Sequence, residues 1–199
     1  MENELQQLLQ QIHSCNLCQE FLPLGTNPVL RVSTQSKILI VGQAPGIRVH
    51  KTSIPWNDPS GDKLREWLGV DKEVFYDEKN FAIVPVGFCY PGKGKSGDLP
   101  PRKECSETWH PKLLPFLPNI ELTLLFGKYA LDFFLKETKK KTLTETVANY
   151  HEYLPSFIPM PHPSPRNRLW LKKNKWFEEE IIPILRNKTE LLLSGNKNK

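Results

Sequence analysis

The sequence predicts an α/β protein, a three-layer α/β/α sandwich around a central four-stranded parallel sheet. Short apolar runs alternate along the chain with segments of helical periodicity, which is the pattern of parallel strands joined by crossover helices. The clearest run covers residues 38–41 (ILIV), mostly β-branched and bounded by turn residues, as in a strand buried on both faces. We find no repeat and no second compositional regime, so we expect a single domain over residues 1–193 and a disordered tail over 194–199.

The other elements follow from periodicity and from helix start and stop signals. Further strands are expected at 81–88, 121–126 and 156–160. Helices are expected at 5–12 and 129–135, and another should begin at a cap, Ser60 or Asp62, and end at Gly69. A further helix is expected at 102–117, where Pro111 and Pro115 should kink or break it. The last helix should begin at about 174 and be interrupted near Pro183. Residues 47–59 carry no periodicity and are interpreted as a functional loop.

Composition limits the classes of protein to consider. The 199 residues contain 27 Lys and Arg against 22 Asp and Glu, for a net charge of +5 and a pI near 9.0, a mild indication of a polyanionic partner. We see no signal peptide and no apolar run of the roughly 20 residues that a membrane helix needs. We therefore expect a soluble, cytoplasmic protein with no membrane partner, acting as a monomer.

The first candidate site follows the strand at 38–41. Gly42 and Gly46 flank Gln43, Ala44 and Pro45, so the backbone can turn sharply and approach a ligand closely at the carboxyl end of the strand. In open α/β sheets, ligands bind in the crevice at that edge. An ordinary strand–loop connection is the alternative for this motif taken alone.

The four cysteines have the most specific spacing in the chain. Cys15 and Cys18 form a CxxC at the end of the first helix, and Cys89 and Cys105 flank the proline-containing stretch 90–104. In a reducing compartment such thiols are ligands or buried side chains rather than disulfides. Four thiolates can hold a zinc ion or an iron–sulfur cluster, and four unligated thiols are the alternative.

The second candidate site is the segment 162–167 (HPSPRN), which follows the last predicted strand. Its prolines stiffen the loop, so that it can enter a groove with little entropy left to lose. Ser164 and Arg166 are suited to phosphate contacts, and Arg166 could also fill a gap in a base stack. Asn167 ends the segment, and the basic residues Arg168, Lys172 and Lys173 follow it. Basic residues mixed with aromatic ones suit a nucleic-acid surface. The alternative is a solvated helix face, with Trp176 and Phe177 in the core.

These two motifs resemble a known family. GQAPG and HPSPRN look like the two signature motifs of the uracil-DNA glycosylase superfamily, and the resemblance covers nearly the whole chain. The cysteine spacing is similar to that of the iron–sulfur branch, whereas HPSPRN is similar to the second motif of the single-strand-selective branch. The resemblance implies a four-stranded parallel sheet between helices, damaged DNA bound across the carboxyl ends of the strands, and a 4Fe–4S cluster, with zinc as the alternative.

The resemblance also implies roles for individual residues. His162 would donate a hydrogen bond to the departing base, and Trp56, within SIPWNDPSG, would stack on the flipped base. Gln43 and the backbone of the segment 42–46 would hold the water and the sugar side. This chain departs from the family at three positions: Ala44 replaces the Asp of the classical enzymes, Gln43 the Glu of the iron–sulfur branch, and Pro85 the Asn that reads the base.

Two residues near Trp56 could supply the missing group. Asp58 or Asn57 could replace the acid, or either could simply cap the helix that follows. The sequence therefore predicts a DNA glycosylase that flips a deaminated base, such as uracil, and excises it by hydrolysis. The alternative is a catalytically degenerate protein with this fold that binds nucleic acid without cleaving it. A small-molecule enzyme is a weaker third possibility, because it would have no use for HPSPRN or the basic residues after it.

Overall fold

The computed structural model describes residues 1–195, and residues 196–199 lie outside the described part of the chain. Ser194 is the last residue of the final helix, so the prediction that a disordered tail begins there is wrong at that residue. The remainder of the predicted tail, from 196 onwards, lies outside the described residues. No helix within residues 1–195 is long and apolar enough to cross a membrane.

Within these residues the strands form one four-stranded parallel sheet, as predicted. The strands are β1 (Ile38–Val41), β2 (Phe81–Ile83), β3 (Leu122–Phe126) and β4 (Phe157–Met160). Their order across the sheet is β2-β1-β3-β4, and β1 pairs with β2 on one side and β3 on the other. Because β1 and β3 occupy the centre of the sheet and have helices on both faces, every residue in them is buried.

Two layers of helices cover the sheet. The helices are α1 (Glu2–His13), α2 (Ile47–Thr52), α3 (Pro59–Leu68), α4 (Lys72–Tyr76), α5 (Lys103–Leu113), α6 (Gly127–Phe134), α7 (Leu143–Ala148), α8 (Arg168–Lys173) and α9 (Ile182–Ser194). Alternate residues of β1 point to opposite faces, so Leu39 and Val41 pack in the core with α1 and α5. Ile38 and Ile40 pack in a second core with α3 and α9. The predicted three-layer architecture is therefore confirmed.

Strand β2 is shorter than predicted. It ends at Ile83 rather than 88, although Val84 donates to the carbonyl of Ile40 and Val86 to that of Gly42, at 3.0 and 2.9 Å. Because the N–H groups of Val84 and Val86 both point to β1, Pro85 between them removes no bond to β1, and the extended backbone continues along the first motif after the regular strand ends. This places the segment 84–87 beside the predicted site.

Three helix predictions are corrected by the structure. Residues 47–52 form α2 within the predicted loop; only Val49 of this short helix is buried, so its sequence carries no periodic signal. Helix α3 begins at Pro59, because the side chain of Asp58, and not Ser60 or Asp62, caps it. Helix α5 continues through Pro111 to Leu113, and a 3-10 turn containing Pro115 follows it.

Candidate active site

A cleft of about 540 Å³ opens at the carboxyl edge of the sheet. The first motif after β1, the loop before α3, the second motif after β4 and part of the loop before α5 line it, together with residues of α2 and the end of β2. The residues of the predicted site that line it are Gly42, Gln43, Ala44, Pro45, Gly46, Trp56, Asp58, His162, Ser164 and Arg166. Two segments far apart in sequence therefore meet, as expected for loops that leave parallel strands at the same edge.

Trp56 lies at the centre of this cleft. Its ring stacks on the His162 imidazole, with 5.4 Å between ring centroids and 27° between planes, and its edge packs on Phe126 at 5.6 Å. A Cβ on Gly42 would lie 3.3 Å from the Trp56 ring, so glycine at that position lets the indole approach the first motif closely. An aromatic plane and an imidazole thus face the first motif across one cavity.

The backbone of Trp56 adopts a left-handed conformation, with φ of 55°. Such a conformation is uncommon for a bulky residue and indicates a turn held by its surroundings. Asp58 holds the end of this turn, because its Oδ1 accepts the N–H of Gly61 at 2.8 Å. Gly61 packs directly against the turn, since a Cβ there would lie 1.7 Å from the carbonyl oxygen of Trp56.

His162 is half-buried between the second motif and Trp56. Burial lowers the pKa of its imidazole, and the nearby Asp58 carboxylate opposes that effect without overcoming it. The imidazole is therefore neutral at physiological pH and keeps one N–H to donate. The backbone carbonyl of His162 accepts a hydrogen bond from the Asn167 side chain at 2.7 Å, which fixes the loop that carries it.

Asp58 occupies both positions that the sequence suggested for it, in the cleft and at the start of α3. Its carboxylate caps α3, and it also lines the cleft close enough to influence the His162 pKa. Asn57 lies next to it in the chain, but its side chain is not among those lining the cleft in the described structure.

Gln43 faces a segment for which the sequence indicated no role. Its Nε2 donates to the carbonyl oxygen of Leu99 at 2.8 Å. From the opposite side, Nη1 of Arg166 donates to the carbonyl of Ser96 at 3.4 Å. We call residues 93–99 the Asp98 loop. Both signature motifs therefore hold this loop by its backbone.

Asp98 is the cleft residue that the sequence analysis missed. It pairs with Lys93 through an antiparallel bridge, and its Oδ2 would lie 3.6 Å from a Cβ placed on Gly46. The residue stays accessible to solvent, but partial desolvation in the cleft raises the pKa of its carboxyl, against the opposing charges of Arg166 and Lys93. A lone Asp in a Gly- and Lys-rich stretch carries no periodicity, so the only signal was its position between Cys89 and Cys105.

The second motif continues into α8 beside a groove of about 760 Å³. The Ser164 hydroxyl accepts the N–H of Arg166 at 3.3 Å and shapes the turn. Arg168 and Lys172 line the groove, whereas Lys173 is exposed on the same helix. Phe177 is fully buried and Trp176 packs against the same core, as the alternative interpretation of these aromatics predicted.

Leu169 is a second residue that the sequence analysis missed. It lies in the first turn of α8, immediately after the second motif, and 72% of it is exposed. Its neighbour Trp170 turns inward and donates from Nε1 to the Thr144 hydroxyl at 2.8 Å. Helix α8 therefore presents an apolar side chain to solvent beside the cleft.

The four cysteines line one cavity between the end of α1 and α5. Their sulfurs receive N–H donors: Trp109 Nε1 donates to Cys15 and the Phe88 backbone to Cys105, both at 3.3 Å. Burial raises the pKa of Cys89 to about 11 and of Cys105 to about 12. Within residues 1–195, no group of three or more Cys, His, Asp or Glu side chains is placed to hold a single metal ion.

The class of protein follows from the fold and this cleft. A parallel sheet carries, at its carboxyl edge, a glycine-rich loop opposite a stacked Trp–His pair, with basic residues on the adjoining helix. The family model of the uracil DNA glycosylase superfamily matches residues 31–186. Since this match covers most of the chain, the protein belongs to the uracil DNA glycosylase superfamily, whose substrate class is DNA.

Proposed function

We propose that this protein is a monofunctional DNA glycosylase that flips a deaminated base, such as uracil, into the cleft and hydrolyses its glycosidic bond. The observation that carries the proposal is the pair of Trp56 and His162, stacked 5.4 Å apart and facing the first motif. A planar base needs a flat apolar surface, and the charge that develops on the departing base needs a hydrogen-bond donor. The pair supplies both groups at one position.

His162 acts as a neutral donor in this proposal. Because burial keeps its pKa low, the imidazole donates an N–H to the developing oxyanion of the base without transferring a full proton. Trp56 stacks on the base, and Gln43 with the backbone of 42–46 forms the sugar side of the pocket. The C1′–N bond breaks, its electron pair leaves with the base, and water supplies the new oxygen on C1′.

The second motif and α8 form the proposed DNA-contacting edge. Phosphate contacts come from Ser164 and Arg166 in the motif and from Arg168, Lys172 and Lys173 on the helix, with Asn167 fixing the loop. Leu169 projects from the same turn and is suited to enter the space that a flipped base vacates, since apolar side chains inserted into a base stack open it.

The cysteine cavity is the proposed position of a metal centre, and a 4Fe–4S cluster is the group that we propose for it, with zinc as the alternative. All four thiols line this one cavity. Four thiolates can bind either a zinc ion or an iron–sulfur cluster. N–H donors to the sulfurs are also a feature that tunes iron–sulfur sites. Cys15, Cys18, Cys89 and Cys105 would hold a 4Fe–4S cluster, which would join the end of α1 to the start of α5.

One observation favours a second candidate function, binding without cleavage. The first motif contains no carboxylate, and the Gln43 amide is used in holding Leu99. A protein with this site could recognise flipped or damaged bases and leave the glycosidic bond intact.

A lesion panel distinguishes the two functions. Purified protein is incubated with duplexes that carry one uracil, hypoxanthine or xanthine, or no lesion, and abasic sites are scored after alkali. We expect abasic sites with at least one lesion and a loss of about a hundredfold or more in rate for His162→Ala, with DNA affinity kept within a few fold. His151→Ala, an exposed histidine, is the control. Binding without abasic sites on any lesion would support the second function.

A further inference from the structure

We infer that Asp98 supplies the carboxylate that the first motif lacks, and that Gln43 and Arg166 are positioning residues that hold the Asp98 loop against the cleft. The inference rests on the proposed glycosylase function. It moves the general base of the reaction from the first motif to a loop between the third and fourth cysteines.

Asp98 lies in the cleft, near the first motif. Asp98 lines the same cleft as Trp56 and His162, and its Oδ2 would lie 3.6 Å from a Cβ on Gly46. Gly46 ends the same short loop in which Ala44 occupies the position of the usual acid. The carboxylate therefore lies beside the end of the first motif, within the cleft.

Hydrogen bonds from both signature motifs hold the Asp98 loop in place. Gln43 donates to the carbonyl of Leu99 and Arg166 to the carbonyl of Ser96, so each signature motif fixes one side of Asp98. Within the loop, Gly94 donates to the carbonyl of Gly97 at 2.6 Å. A catalytic carboxylate needs such preorganisation, because a small displacement from the reacting atoms costs much of its effect.

The competing carboxylate is Asp58, and its surroundings suit another role. One of its oxygens accepts the Gly61 N–H and ends the turn that carries Trp56. Asp98 makes no such capping bond among the described residues, and it faces solvent in the open cleft, where a water can reach it. A carboxylate that acts as general base must be free to accept a proton from that water.

In the proposed hydrolysis, a water molecule attacks C1′ of the flipped nucleotide. The water oxygen bonds to C1′ while the C1′–N bond breaks, and the bonding pair leaves with the base, held by His162. Asp98 accepts the proton that the water loses and later releases it to solvent or to the departed base. The same negative charge stabilises the positive charge that develops on the sugar.

The charges around Asp98 define the expected pH dependence. Arg166 and Lys93 lower its pKa, desolvation raises it more, and the carboxylate of Asp58 adds to the rise; Tyr90 also lies within its influence. Asp98 acts only when ionised, so the rate falls as pH drops through its pKa. Because that pKa is raised, the fall begins at a higher pH than for an ordinary aspartate.

The test compares Asp98→Asn with Asp58→Asn in single-turnover excision of whichever lesion the wild type cleaves. We expect Asp98→Asn to lose about a hundredfold or more in rate and the acid limb of the pH profile, with DNA affinity within a few fold. Asp58→Asn keeps a good helix cap and should lose only a few fold. Glu107→Gln, a 60% exposed side chain on α5, is the charge control and should match the wild type.

A second pair of variants separates catalysis from folding. Asp98→Glu restores the charge one methylene away and should recover part of the rate and the acid limb, which a purely structural role would not predict. Gln43→Ala should lower the excision rate, because it releases the Asp98 loop. It should also move the acid limb to lower pH, because Asp98 is then exposed to more water and desolvation no longer raises its pKa as much.

Each outcome decides the inference. An unchanged rate or an unchanged acid limb in Asp98→Asn overturns it, and so does a larger loss in Asp58→Asn than in Asp98→Asn. If the wild type cleaves no lesion, the proposed function fails and the inference fails with it. If the wild type cleaves and only Asp98→Asn is normal, the function stands and Asp98 is not its base.

Discussion

The turn at Trp56 shows how single residues define this site. An aromatic residue whose backbone is in the left-handed conformation is strained, and here the Asp58 cap and the close packing of Gly61 stabilise that conformation. In return the indole is placed flat against His162. The stacking surface therefore depends on small contacts behind it as much as on the aromatic residue itself.

Gly61→Ala tests that dependence. The added Cβ would meet the Trp56 carbonyl oxygen at 1.7 Å, so the turn must shift, at an overpacking cost of about 1–3 kcal/mol. We expect Tm to fall by several degrees and excision to fall with it, measured by thermal melting and the lesion assay. Gly195→Ala is the control, because its Cβ would meet the nearest atom at 3.9 Å; equal melting of the two variants would contradict the prediction.

At the residue scale the sequence predicted what the motifs carry. Trp56 and His162 were assigned to one site because SIPWNDPSG and HPSPRN resemble the family's motifs, and the two rings stack on each other in the structure. Asp58 was suggested both as a site residue and as a cap, and it lines the cleft and caps α3. Asp98 was not identified, because its place in the cleft depends on backbone hydrogen bonds to two distant motifs, which no local pattern reveals.

Helix α8 is the element that connects the cleft to the DNA-contacting edge. It follows the second motif without a break, buries part of Trp170 and exposes Leu169 and its lysines. One short helix thus carries an apolar projection and positive charge on its outer side.

Leu169→Ala should reduce excision from duplex DNA by roughly tenfold or more and leave excision from single strands unchanged. The physical reason is that a base must be unstacked only in the duplex, where an apolar side chain fills the vacated space. Leu191→Ala, on α9 and 65% exposed, should leave both rates at the wild-type value. Equal losses on the two substrates would exclude an unstacking role for Leu169.

Replacing both Lys172 and Lys173 by Ala should weaken binding to all duplexes alike and flatten its salt dependence. Each lost phosphate contact reduces the log–log slope by roughly 0.9 on duplex DNA, so the double variant should lose up to about two units. The matched control is Lys72→Ala with Lys79→Ala, since both lysines are exposed and Lys79 precedes β2 at the opposite edge of the sheet. A control that flattens the slope equally would place the contacts elsewhere.

Prediction of elements succeeded where burial was continuous and failed where elements are short. The bounds of β1 are those of the apolar run 38–41, because turn residues define both ends. Helix α2 was missed because only Val49 of its residues is buried. The start of α3 was placed too late because Pro59, which opens the helix after its Asp58 cap, was read as part of a loop.

For the whole molecule, the cysteine cavity predicts a definite metal content. We expect protein purified without oxygen to be brown, to contain about four iron atoms per chain and to bleach on reduction. Cys15→Ser with Cys18→Ser should remove the iron and lower Tm, since ligand binding to the folded state stabilises it. Leu17→Ala, between these cysteines and 54% exposed, should keep its iron.

Other metal contents would change the assignment of the cysteine cavity. Colourless protein with one zinc per chain would mean that the four cysteines bind zinc and not a cluster. Metal-free protein whose four thiols react only after unfolding would leave the four cysteines as unligated, buried side chains.

The way in which the Asp98 loop is attached also determines which of its residues can be substituted. Both of its tethers end on main-chain oxygens, those of Ser96 and Leu99, so neither depends on which side chains the loop carries. Substitution of Ser96, which lines the cleft, can therefore alter its wall without releasing the loop. A library randomised at position 96, with Gln43 and Arg166 kept, should yield folded variants that differ in which lesion they accept.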